Sequence, residues 1–76
     1  MKLIGQIEVE HLSELEAQTA AAGSRLVIEM EEVTLVDLDV VRFLIKCEAE
    51  GIIVRGCSAY IQEWINQERQ RNRSYR

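Results

Sequence analysis

The sequence predicts an α/β fold in which about three short, mostly parallel strands alternate with three helices. Apolar runs of strand length alternate three times with segments of helical composition and period. Two of the runs, "LVI" and "IIV", are apolar on both faces, as strands of parallel sheets usually are. The 76 residues, 47% of them hydrophobic, suffice for one small domain whose single core gives limited stability. This alternation implies parallel strands joined by right-handed crossovers.

The first half of the chain contains two strand patterns and one helix pattern. Alternation from Leu3 to Val9 predicts the first strand. The strong helix formers from Glu10 to Ala22 predict a helix, and Gly23 is the residue type that ends helices. The apolar run from Arg25 to Met30 predicts the second strand, and residues 31–36 lead from it to two aspartates.

The second half repeats the arrangement. Apolar residues recur with helical spacing from Val40 to Glu50, and charged residues lie between them, which predicts an amphipathic helix. Ile52 to Arg55 predict the third strand. Ser58 is placed to act as the N-cap of a last helix, predicted from Ala59 to Gln70.

The number of helices suggests that the sheet is covered on one face. Strands that are apolar on both sides normally have both faces of their sheet buried. Three helices in so short a chain cover one face, so we expect a partner on the other, and a second copy of the chain is the expected partner. The sequence therefore predicts a homodimer.

Charge is distributed unevenly along the chain. Residues 1–65 contain 5 Lys/Arg and 12 Asp/Glu, whereas residues 66–76 contain four arginines and one glutamate. We expect one domain over residues 1–68, followed by a basic, flexible tail over residues 69–76. The acidic domain would repel phosphates, so nucleic acid is not the expected partner; binding through Arg69 to Arg76 is the alternative.

Three features of the sequence bear on the cellular location of the protein. No apolar run approaches the roughly 20 residues that cross a bilayer, and the start "MKLIGQ" lacks a signal-peptide core. Cys47 and Cys57 form neither a CxxC motif nor a disulfide framework. We expect a cytoplasmic protein without a membrane span.

Enzyme chemistry has weak support in the sequence. Asp37 and Asp39 have no nucleophile or oxyanion-binding group nearby, and His11 is the single histidine. His11, Cys47 and Cys57 lack the close ligand pairs of zinc sites. We expect no catalytic residue, cofactor or metal. The enzyme alternative requires a pocket that contains Asp37, Asp39 and His11 together.

The two aspartates have a structural interpretation. Asp39 immediately precedes "VVRFLIK", where it could accept hydrogen bonds from the first turn of the helix and interact with the helix dipole. Asp37 could hold the preceding turn through its side chain. On this interpretation Asp39 is the N-cap.

The stretch "LVIEMEEVTLVDLDVVRFLIKCEAEGIIVRGCSAYIQEWI" (Leu26 to Ile65) resembles the STAS domain, the module of anti-sigma-factor antagonists and of the cytoplasmic parts of sulphate-type anion transporters. The early "LIGQIEVEHLSEL" is similar to the family's entry into its first helix, so the resemblance covers about residues 2 to 68. It implies a small β/α superhelix that binds protein partners, such as an anti-sigma kinase or another regulator.

The family motif Asp-Ser-Ser/Thr-Gly-Leu is only partly present. Asp37 matches the family aspartate, Leu38 replaces the first serine, and Asp39 replaces the residue that is phosphorylated. Val40 replaces the glycine, and Val41 the leucine. Because position 39 has no hydroxyl group, a hydroxyl-phosphorylation switch is excluded there. A carboxylate brings one negative charge, against about 1.5 to 2 for a phosphate, so Asp39 could mimic the phosphorylated state in part.

The resulting expectation is a non-enzymatic regulatory module that binds a protein partner. The alternative is a structural or self-assembling homo-oligomeric subunit outside any sigma-factor pathway. The expected binding face comprises the start of the second helix and two neighbouring loops: Asp37, Leu38, Asp39, Val40 and Arg42, with His11, Gly56 and Ser58.

Overall fold

The computed structural model describes residues 1–74, without the side chains of residue 24 and residues 72–74. Tyr75 and Arg76, the end of the expected tail, lie outside the described residues. Strands and helices alternate as predicted: β1 (Lys2–Ile7), α1 (Leu12–Ala22), β2 (Val27–Val36), α2 (Leu38–Ala49), β3 (Ile53–Arg55) and α3 (Ala59–Ser74). Short 3₁₀ turns, Val9–His11 and Gly23–Arg25, lie before and after α1.

The three strands form one parallel sheet in the order β1-β2-β3, which confirms the predicted fold class. β1 pairs along most of β2, from Lys2 opposite Glu29 to Ile7 opposite Val36. β3 pairs with the first part of β2 alone, and its last residue, Arg55, is level with Glu29. The carboxyl end of β3 is therefore staggered far back from the carboxyl end of β2.

Two elements are longer than the sequence predicted. β2 continues through the acidic residues to Val36 and has 10 residues. α3 continues to Ser74 and so includes most of the segment expected to be a flexible tail. Arg69, the first residue of that segment, donates a hydrogen bond to Glu48 of α2. Arg69 therefore belongs to a helix that contacts α2.

The hydrophobic core lies between one face of the sheet and the helices. Ile28 and Met30 of β2 are completely buried, and α2 and α3 contribute side chains such as Val41, Leu44 and Ile61. Consecutive strand residues point to opposite faces, so Ile28 and Met30 define the covered face. The strands lie in the sheet in their sequence order. Because the crossovers β1-α1-β2 and β2-α2-β3 have the same handedness, α1 and α2 lie on the same side of the sheet.

The opposite face of the sheet is left uncovered by residues 1–74. We call it the open face and define it by the side chains of Lys2, Ile4, Glu29, Leu35, Ile53 and Arg55. Its large apolar members, Ile4, Leu35 and Ile53, are each half or more exposed. The prediction that three helices cover one face is confirmed, and the identity of what covers the other face stays a prediction.

Candidate functional site

The carboxylate of Asp37 connects two loops at the carboxyl edge of the sheet. Asp37 precedes α2 in an extended conformation, and its Oδ1 accepts a hydrogen bond of 3.1 Å from the backbone N–H of Val40. Its Oδ2 accepts a bond of 2.7 Å from the backbone N–H of Val9, which lies 28 positions earlier in the chain. Asp37 is therefore the N-cap of α2 and also fixes the turn that follows β1.

The expectation that Asp39 caps the helix is wrong. α2 begins at Leu38, so Asp39 is already inside its first turn, where its side chain is exposed. A carboxylate in the first turn still interacts favourably with the helix dipole. Asp39 therefore presents a negative charge to the surroundings of the protein from a well-defined helix start.

His11 completes the turn after β1. The backbone N–H of Glu8 donates to His11 Nδ1 at 2.9 Å, and the backbone N–H of His11 donates to the carbonyl oxygen of Glu8 at 2.9 Å. His11 Nδ1 therefore helps to hold the backbone of this turn. His11 is exposed, and the Val9–Asp37 bond places its turn beside the start of α2.

Two residues next to Asp37, one bonded to its carboxylate through the backbone and one adjacent in sequence, have exposed apolar side chains. Val9 is 52% exposed and Leu38 is 36% exposed. The acids Glu10 and Asp39, each next in sequence to one of these residues, are exposed as well. We call this surface the docking edge and define it as Val9, Glu10, His11, Leu38 and Asp39. It combines apolar side chains with two negative charges on a backbone that Asp37 holds in place.

Two residues predicted for the binding face have other environments. Val40 is fully buried in the core, so it cannot contact a partner, contrary to the expectation that it belongs to the binding face. Arg42 lies one turn into α2 with its side chain half-exposed, and its Nε is 3.5 Å from Glu68 Oε1 of α3. Arg42 is therefore directed towards α3.

Gly56 and Ser58 do not lie beside the docking edge as expected. A Cβ built on Gly56 would lie 2.4 Å from Cγ of Glu31, so this loop adjoins the middle of β2. Glu31 precedes Val36 by five residues, roughly 16 Å along a strand. Ser58 has a confirmed structural role, because its Oγ accepts a hydrogen bond of 3.3 Å from the N–H of Ile61 and caps α3. The stagger of β3 causes the separation.

Glu68 is the residue that sequence reasoning missed. It is 4% exposed on the apolar stripe of α3 that contains Ile61 and Ile65. Within the described part of the chain, its Oε1 accepts no hydrogen bond that meets normal geometry, and Arg42 is its nearby cation. The sequence did contain a signal for this burial. Glu68 follows Ile65 by three residues and Ile61 by seven, which places it on the buried side of the helix.

Other clefts and thiols lie away from the docking edge. Three clefts of about 380, 300 and 450 Å³ lie beside α2 or α3, and Asp37, Asp39 and His11 line none of the three. Burial raises the pKa of the Cys47 thiol to about 11, and burial also raises the pKa of Cys57. Thiols with raised pKa values are poor nucleophiles. Among residues 1–74, no group of three or more His, Cys, Asp or Glu side chains is placed to hold a metal ion.

These features define a two-layer α/β domain with a fixed, exposed edge at the carboxyl ends of β1 and β2. No family model, no curated protein and no solved structure matches this chain. The resemblance to the STAS domain therefore stays a prediction from the sequence motifs. No helix in the described part of the chain is long and apolar enough to cross a membrane.

Proposed function

We propose that this chain is a non-enzymatic, STAS-like protein-interaction module that binds a regulatory protein partner through the docking edge. The observation that carries the proposal is the double hydrogen bond of Asp37, to Val40 N–H and to Val9 N–H. These bonds fix Val9, Leu38 and Asp39 relative to one another while the side chains stay exposed. A surface that is ordered before binding loses less entropy when a partner arrives.

The chemistry of the docking edge indicates what the partner presents. Val9 and Leu38 offer apolar contact area, and Glu10 and Asp39 supply negative charge at its border. A complementary surface combines an apolar centre with lysine or arginine side chains. Asp39 stands where the STAS motif has its phosphorylated residue, so we propose that this interaction is constitutive and not switched by phosphorylation at that position.

A cytoplasmic location is part of the same proposal. Cys47 is buried as a free thiol, and Cys57 is also free. Free thiols are typical of reducing compartments such as the cytoplasm.

The test is affinity capture from lysate of the source organism with three immobilised proteins. The three proteins are wild type, Asp39→Arg and the control Glu63→Arg. Glu63 is a suitable control because it is an exposed acid on α3, away from the docking edge. Mass spectrometry identifies the retained proteins, and calorimetry with the purified partner then measures the affinity.

We expect wild type and Glu63→Arg to retain the same regulator, and Asp39→Arg to bind it at least about tenfold more weakly. Urea unfolding of all three proteins controls for the loss of a favourable charge at the start of α2. Equal retention by Asp39→Arg, or retention of no specific protein by wild type, would overturn the proposal.

A further inference from the structure

Two neighbouring aromatic rings lie on the exposed side of α3. Tyr60 is 58% exposed, and Trp64, four residues later, is partly buried against the core. Their ring centroids lie 5.9 Å apart and the ring planes are inclined at 47°, a tilted arrangement that aromatic pairs favour. Ile61 and Ile65 are the residues that α3 buries completely or nearly so. Core packing therefore does not account for Tyr60, whose ring is held beside Trp64 at the surface.

A carboxylate and an amide lie on the same side of the helix as the two rings. Glu63 and Gln67 follow Tyr60 by three and seven residues, which places them on one helix face. Together with Trp64 they line an open cleft of about 300 Å³, which we call the α3 cleft and define as Tyr60, Glu63, Trp64 and Gln67.

Hydrogen bonding within the α3 cleft leaves two acceptor atoms side by side. Gln67 Nε2 donates a hydrogen bond of 3.4 Å to Glu63 Oε1. An ionised carboxylate can only accept, so the amide of Gln67 must turn its nitrogen towards Glu63, and its Oε1 stays an acceptor. Glu63 Oε2 is the second acceptor. Both oxygens belong to side chains that are exposed on α3.

The charge of Glu63 is not used in the ion pairs between α2 and α3. In the described part of the chain these pairs join Arg42 to Glu68 and Arg69 to Glu48. The chain as a whole has a net charge of −4. A carboxylate and the faces of aromatic rings both attract cations. The α3 cleft therefore has the chemistry of a site for a positively charged group.

We propose that the α3 cleft binds one arginine side chain, presented by a protein partner other than the regulator at the docking edge. The guanidinium lies against the aromatic pair and donates hydrogen bonds to Glu63 Oε2 and Gln67 Oε1. Arginine suits this arrangement better than lysine, because a guanidinium is planar, stacks on aromatic rings and presents its donors in a fixed fork. The open shape of the cleft fits a single side chain, because sites for small molecules bury most of the ligand surface.

The α3 cleft is separate from the docking edge. Its four residues lie on the exposed side of α3, whereas the docking edge is formed by the turn after β1 and the start of α2. Arginine binding at the α3 cleft therefore does not depend on the binding of a regulator at the docking edge.

The test uses the full chain and three small probes: N-acetylarginine amide, N-acetyllysine amide and N-acetylcitrulline amide. Citrulline has nearly the shape of arginine without its charge, so it is the matched control. Trp64 is the single tryptophan of the chain, so its fluorescence and its indole N–H signal in NMR spectra report on the α3 cleft. Sodium chloride at the same concentration controls for ionic strength.

We expect the arginine probe to shift the indole signal of Trp64 with a dissociation constant of about 1–10 mM, because it is a single side chain on an open surface. The lysine probe should bind at least about threefold more weakly, and the citrulline probe at least about tenfold more weakly. The proposal is overturned if the arginine probe gives no saturable shift up to about 100 mM, or if the citrulline probe binds equally well. Equal binding of the lysine probe overturns the assignment to arginine.

Glu63→Gln removes the charge of the carboxylate and keeps the size of the side chain. This variant should bind the arginine probe at least about tenfold more weakly than wild type. The matched control is Glu14→Gln, which makes the same change at an exposed acid on α1 and should leave binding unchanged. Gln67→Met removes the second acceptor and should give an intermediate loss. If Glu63→Gln binds the probe as wild type does, the proposed site is rejected.

Two variants distinguish failure of the α3 cleft from failure of the docking edge. Glu63→Arg should retain the regulator in the capture experiment but lose the arginine probe, because it places a cation in the α3 cleft. Asp39→Arg should lose the regulator and bind the arginine probe as wild type does. Loss of the probe by Asp39→Arg, with circular dichroism like that of wild type, would overturn the separation of the two sites.

Discussion

Replacing Asp37 with alanine removes the two hydrogen bonds that its carboxylate accepts from the backbone N–H groups of Val40 and Val9. The lost cap to Val40 N–H (3.1 Å) costs about 1 kcal/mol, as N-cap substitutions typically do. The bond to Val9 N–H (2.7 Å) involves a charged acceptor and would be worth about 1.5–3 kcal/mol if fully buried. Val9 is 52% exposed, so water can take over part of this bond, and about 1 kcal/mol remains.

The expected loss in the free energy of unfolding is therefore about 2 kcal/mol for Asp37→Ala. In a domain of this size such a loss lowers the melting temperature by roughly 8–16 °C. Asp37→Asn keeps one acceptor oxygen for the two N–H donors, so its free energy of unfolding should fall by about half as much. Asp39→Ala should lose about 0.5 kcal/mol, because its exposed carboxylate contributes through the helix dipole.

Urea unfolding monitored by circular dichroism, together with thermal melts, measures all three variants. The reasoning requires the order Asp37→Ala, Asp37→Asn, Asp39→Ala, from the most to the least destabilised. If Asp39→Ala were as destabilised as Asp37→Ala, the assignment of the cap to Asp37 and the role of its bond to Val9 would both be refuted.

Three further predictions concern buried or crowded groups. Burial raises the pKa of Cys47 from 9.0 to about 11, so its proton is kept longer in the folded than in the unfolded chain. The contribution of this thiol to the free energy of unfolding is complete below pH 9 and is lost as the pH rises to about 11, by about 1.4 kcal/mol per pH unit. Equal pH profiles of unfolding free energy for wild type and Cys47→Ala would contradict this. Glu68→Leu should raise the free energy of unfolding by about 1 kcal/mol, because it replaces a buried acid that has incomplete pairing on an apolar stripe; a clear loss in urea unfolding would show that the acid stabilises α3. Gly56→Ala should cost more than Gly5→Ala by about 1–2 kcal/mol in thermal melts. Both glycines have positive φ, but only a Cβ at residue 56 meets Glu31, and equal losses would argue against the close approach.

The order of elements could be predicted because each one has a local signal. The apolar spacing of α2 and the runs "LVI" and "IIV" identify a helix and two buried strands without tertiary information. Ser58 was predicted as the cap of α3 because a serine directly before a helical pattern satisfies the first backbone N–H groups, and its bond to Ile61 N–H confirms it.

The choice between the two aspartates could not be made from the sequence. Asp37 and Asp39 are both adjacent to the start of α2, and either side chain is a good cap. The structure selects Asp37, which places its second oxygen against Val9 N–H, 28 residues away in sequence. A contact between residues so far apart in sequence does not affect the local residue pattern. Nothing in the residues around Val9 indicates that its N–H donates to the turn before α2.

Strand register also lies beyond local pattern. The prediction that Gly56 and Ser58 adjoin the start of the second helix is wrong because the strands do not end at the same level. β2 has 10 residues and β3 has three, and β3 pairs with the first residues of β2. Strand length here is set by pairing with β1 through two register shifts, which a one-dimensional alternation pattern does not contain.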